Sequence, residues 1–95
     1  MSLIKSTTET IFDKQYVHKG DLIRAQRSGW ETAKNGIITA VTDDKLTILT
    51  LPDIGNVTNY FVVYASEVDA ELWYIRWTTD LETIHTDGAP FNGDA

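Results

Sequence analysis

Gly36-Ile37-Ile38-Thr39-Ala40-Val41-Thr42-Asp43-Asp44-Lys45-Leu46-Thr47-Ile48-Leu49-Thr50-Leu51 decides the fold. Its β-branched residues are stiff at χ1 and suit a pleated, half-buried surface. The Asp43-Asp44 pair that interrupts them has short carboxylates that bond nearby amides in turns. A hairpin is therefore predicted, with arms from Gly36 to Val41 and from Lys45 to Leu51. Upstream, Lys19-Gly20-Asp21 is turn chemistry, and Leu22-Ile23-Arg24-Ala25-Gln26 reads as a first strand. The intervening loop, Arg27 to Asn35, has turn signals at Ser28-Gly29 and Asn35-Gly36 that bracket Trp30, which is expected over a barrel mouth.

Downstream, Pro52 cannot donate to a ladder and Asp53-Ile54-Gly55-Asn56 reads as a turn, so the next arm is Tyr60-Phe61-Val62-Val63-Tyr64-Ala65. Its apolar character on both alternating faces predicts burial on two sides, or one face capped by another subunit. In Leu72-Trp73-Tyr74-Ile75-Arg76-Trp77 the two tryptophans share a face in a strand or a helix, but the aromatic density and Thr78-Thr79 favour a strand. Trp73, Ile75 and Trp77 then point inward and Tyr74 and Arg76 outward. Thr79-Asp80-Leu81-Glu82 has capping-box spacing and predicts one helical turn, with Leu81 and Ile84 against the barrel end. The expected organisation is an N-terminal segment over 1–18 readable as strand or helix, a barrel over 19–84, and a mobile C-terminal tail over 85–95 unless Phe91 docks. The fold class is mainly β: a small five-stranded, partly open barrel with one short helical turn near the C-terminus.

Composition bounds the function. Ninety-five residues make one small domain with a thin core, which leaves self-association open. The net charge of −6 is uneven: residues 1–48 hold 7 Lys or Arg and 6 Asp or Glu, whereas residues 49–95 hold Arg76 against 8 acids. Such a balance disfavours nucleic acid and anionic membranes, and suits a basic surface on another protein or another copy. Without cysteine there is no disulfide, thiolate metal site or thiol nucleophile. No apolar run suits a signal peptide or membrane span, so a cytoplasmic chain is expected. Asn56-Val57-Thr58 matches a glycosylation acceptor and reads more simply as a polar turn.

Lys19-Gly20-Asp21-Leu22-Ile23, Gly36-Ile37-Ile38 and Asp43-Asp44-Lys45-Leu46-Thr47-Ile48 resemble SH3-like barrels of the KOW type, which often open on a Gly-Asp turn. Ala65-Ser66-Glu67-Val68, Trp73-Tyr74-Ile75-Arg76-Trp77 and Asp80-Leu81-Glu82-Thr83-Ile84 are similar to small bacterial prophage or mobile-element proteins. The resemblance spans residues 19–84 and implies an SH3-like fold and an accessory or structural role. It carries no catalytic residue. KOW-type barrels often bind RNA or ribosomal partners, and this acidic chain departs from that pattern.

Reactive chemistry is sparse. His18, His85, Ser6, Ser28 and Ser66 are not spaced as a catalytic set, and His85-Thr86-Asp87 lacks the ligand number of a closed metal site. Asp43-Asp44 reads as a turn rather than a cation site, and the glycines fit no phosphate loop. Expectation therefore excludes catalytic, metal and cofactor residues. The expected function is a non-catalytic protein-interaction or assembly module. Its interface residues are Tyr60, Tyr64, Tyr74 and Arg76, because tyrosine combines a large contact area with a polar tip. The alternative is a nucleic-acid-binding barrel using Arg24, Arg27, Trp30 and Lys34, three cations around one stacking surface.

Overall fold

The computed structural model describes residues 3–6, 10–50 and 60–89. The domain is mainly β, with eight strands in two sheets and one short helix among the described residues. The strands are β1 (Ile4–Ser6), β2 (Thr10–Phe12), β3 (Leu22–Arg27), β4 (Lys34–Val41), β5 (Lys45–Thr50), β6 (Tyr60–Tyr64), β7 (Trp73–Thr78) and β8 (His85–Asp87), and helix α1 spans Ala65–Asp69. A six-stranded antiparallel sheet runs β6-β5-β4-β3-β7-β8, and β1-β2 form a separate hairpin.

The β4-β5 hairpin forms as its β-branched arms require, closed at Asp43-Asp44 by the Thr42 amide donating to the Lys45 carbonyl at 2.9 Å. A bulge between Ile38 and Ala40 shifts the register partway along. The Gly-Asp turn before β3 has a physical basis. Gly20 takes φ +95°, a region that costs other residues, and donates its amide to the Ile38 carbonyl at 2.7 Å. Asp21 is buried, and its Oδ2 accepts the His18 amide at 2.8 Å.

Alternation along β7 proceeds as read: Trp73, Ile75 and Trp77 are buried and Arg76 is exposed. Ile23 and Ala25 of β3, Ile38 of β4, Leu46 and Ile48 of β5 and Val63 of β6 join them on the inner face. The N-terminal segment, left open between strand and helix, adopts a β-hairpin. Its Leu3 and Phe12, with Val17 just after it, belong to the same core. The Trp77 Nε1–H donates to the Tyr16 carbonyl at 2.8 Å, fixing this segment to the sheet.

Several expectations need correction. Among the described residues there are eight strands rather than five, and β6 and β8 form the two edges of an open sheet. The helical turn is absent after β7, and the helix lies before it, at Ala65–Asp69. The capping-box residues build a turn instead: Asp80 Oδ1 accepts the amides of Thr83 at 2.8 Å and Glu82 at 2.9 Å, which holds Leu81 at φ +67°, outside helical geometry. Leu81 and Ile84 are consequently exposed rather than packed. The run from Tyr60 to Ala65 is not buried on two sides, since Tyr60 and Tyr64 face solvent, and Ala65 begins α1.

His85 to Asp87, assigned to the tail, pair with β7 as β8. The Thr7 to Glu9 part of the N-terminal capping signal, the turn around Pro52 to Asn56, the Asn56-Val57-Thr58 motif and Phe91 lie outside the described residues. Among the described residues no helix is long and apolar enough to cross a membrane.

Candidate functional site

Strand alternation divides the side chains between the inner core and an outer face. The cross-strand row Tyr60, Leu49, Ile37 and Leu22 runs over β6, β5, β4 and β3 on the outer side. Tyr60 is 66% exposed, Leu22 41% and Leu49 36%. Tyr64 shares this face on β6, and Tyr74 and Arg76 share it on β7. The four expected interface residues thus lie on one side of one sheet, but β6 and β7 are separated by three strands, roughly 19 Å at the usual inter-strand spacing. Tyr74 is half-buried, with the Arg76 guanidinium 5.9 Å from its ring centroid.

Between those flanks lies a groove of about 370 Å³, lined by Leu22, Arg24, Asn35, Arg76, Thr78 and Ile84 among others. Arg24 stands directly opposite Arg76 on β7 and opposite Asn35 on β4. Its Nη1 donates to Asn35 Oδ1 at 2.9 Å. Thr78 points to this side, yet the loop after β7 buries it, and its hydroxyl accepts the Leu81 amide at 3.0 Å. That loop forms one wall of the groove through Ile84.

The set proposed for nucleic acid is divided by the same alternation. Arg24 is on the outer face, whereas Arg27 pairs with Trp73 in register and turns to the inner side. Arg27 Nη2 donates to Glu67 Oε2 on α1 at 2.8 Å, and the Trp73 Nε1–H donates to Glu67 Oε1 at 3.2 Å. Trp30 meets Phe61 and Trp73 edge-on, at centroid distances of 5.4 and 5.2 Å, and Lys34 Nζ lies 4.7 Å over the Trp30 ring. Trp30 is thus a half-buried lid on the aromatic end of the core, and Arg24 does not join the other two cations.

Glu67 had no distinguishing signal in the sequence. It anchors α1 to β3 and β7, and the Arg27 guanidinium, helped by Trp73, holds its carboxyl below the ordinary 4.5 despite the opposing effect of partial burial. A depressed folded-state pKa contributes stability that is complete above the unfolded value and lost as pH falls through the folded one. Glu67→Gln is expected to lower stability by about 0.5–1 kcal/mol at neutral pH, as fits a partly exposed pair. The difference from wild type, followed by urea titration, should shrink as pH drops below 4.5; a constant difference down to acid would remove Arg27 as its cause.

Of the remaining polar candidates, Asp43, His18 and His85 make side-chain contacts. Asp43 meets Lys14 at 2.7 Å, and this bond lowers its pKa. His18 Nδ1 lies 3.3 Å from Thr79 Oγ1 and 3.6 Å from Asp21 Oδ2. The His85 ring leans on Trp77 at a centroid distance of 5.2 Å.

An antiparallel sheet with one face in the core and an apolar, arginine-flanked outer face defines a small mainly β domain. The chain belongs to a family described as a domain of unknown function (DUF5026), which matches residues 3–84. That span includes the groove and its Ile84 wall, and ends before β8. No curated protein and no solved structure matches the chain.

Proposed function

We propose that this domain is a non-catalytic protein-interaction or assembly module of SH3-like type, cytoplasmic and serving as an accessory or structural component of the prophage or mobile-element kind. The five strands β3 to β7 support the fold reading: a long first loop, a hairpin, and a terminal strand that returns to pair with the first. The observation that carries the function is the outer-face row from Tyr60 through Leu49 to Leu22, where large apolar side chains stay exposed beside Tyr64. Contiguous apolar exposure of this kind marks interaction surfaces, and tyrosine anchors them well.

The test replaces Tyr60 and Tyr64 with serine. Both are exposed, so circular dichroism should remain that of wild type. Affinity of the domain for itself and for cross-linked partners is expected to fall about tenfold or more, the size of an effect at interface anchors. Undiminished association in the folded variant would overturn the reading.

A further inference from the structure

The outer groove carries an arrangement that the core does not need. Arg24 and Arg76 are direct cross-strand partners, and like charges placed so destabilise an antiparallel pair. Arg24 bonds the neutral Asn35, Arg76 lies by the Tyr74 ring, and among the described residues neither forms an ion pair with a carboxylate. This happens in a chain of net charge −6, where acids are in excess.

At the groove's other end the loop after β7 presents the complement. Leu81 is 70% exposed and Ile84 57%, and Leu81 is held at φ +67° by Asp80 and Thr78. A leucine at positive φ is uncommon, and here the turn projects an apolar side chain into solvent. Glu82 follows it, exposed, and makes no ion pair among the described residues. The loop that walls the groove through Ile84 therefore carries an apolar knob with an adjoining carboxylate, next to an apolar groove with two guanidiniums that form no ion pair among the described residues. A surface that carries both halves of a complementary pair is what a two-fold interface requires.

We propose that the groove is a self-association site whose occupant is the Asp80–Ile84 loop of a second copy of this chain. Leu81 of one protomer seats between Leu22 and Ile84 of its partner, and Glu82 reaches the Arg24 and Arg76 guanidiniums, with the reciprocal contacts formed by symmetry. The inference rests on the interaction-module reading and specifies its partner.

Light scattering across a concentration series, at low and at high salt, reads the result directly. Wild type is expected to dimerise on concentration, and more weakly at high salt, because rim charges are screened. Arg76→Glu and Glu82→Arg should each raise the dimer Kd about tenfold or more, and the combined Arg76→Glu/Glu82→Arg protein should recover most of that loss. Leu81→Asp, at an exposed position, should also abolish the dimer with circular dichroism unchanged. A wild type that stays monomeric, or a dimer indifferent to Arg76→Glu and Leu81→Asp, overturns the groove assignment. A dimer lost in Tyr60→Ser/Tyr64→Ser but intact in the groove variants would overturn it too, while leaving the interaction-module reading standing.

Discussion

Trp77→Ala is expected to lower the unfolding free energy by about 3–5 kcal/mol, a large part of the roughly 5–15 kcal/mol that holds a small domain together. Three elements meet at this side chain. It is buried to 1% exposure, its indole N–H donates to the Tyr16 carbonyl at 2.8 Å, and its ring contacts His85 of β8. Truncation opens a cavity under the sheet and leaves the Tyr16 carbonyl without its donor, so the N-terminal segment should loosen first. Trp77→Phe keeps most of the apolar volume and isolates the hydrogen bond, which should cost about 1–2 kcal/mol. Urea unfolding followed by circular dichroism measures both. A loss below about 1 kcal/mol for the alanine variant would show that the N-terminal hairpin contributes little to the core.

Gly36→Ala should cost about 3 kcal/mol, the upper part of the range for overpacking. Gly36 pairs with Ile23 on one side and Thr50 on the other, where β4 passes close to β5. A Cβ there would overlap the Leu49 carbonyl oxygen and come within 2.6 Å of Ile48 Cγ2. The first obstruction is backbone, which yields only if the hairpin spreads. Gly36→Val should be worse, with loss of the cooperative transition as the paired residues of β4 and β5 separate. An alanine variant as stable as wild type would mean that the two strands run farther apart than described.

Much of this fold was legible because it is local. The β-branched arms around Asp43-Asp44, the Gly20-Asp21 turn and the inward set Trp73, Ile75 and Trp77 each follow from neighbours within a few residues. Capping-box spacing after β7 misled, because Asp80 bonds the same amides in a turn as it would at a helix start. The N-terminal hairpin had no decisive local preference, and burial of Leu3 and Phe12 against the sheet selected the strand form.

The candidate site divides in the same way. Outward placement of Tyr60, Tyr64, Tyr74 and Arg76 follows from strand alternation, a property of the sequence alone. That Arg76 faces Arg24 could not be read, because the two lie far apart in the chain and meet only when β7 returns to pair with β3. The separation of Arg27 from Arg24 follows from alternation along β3, whereas Trp30, in the loop after it, is drawn to the inner side by Phe61 and Trp73, distant in sequence. By itself, the sequence determined that the segments of β3 to β7 are strands and which side chains of β7 turn inward, since both depend on residues in succession. Tertiary structure decided which strands adjoin, and hence which charges oppose one another, because long-range pairing is chosen by the burial of the whole core.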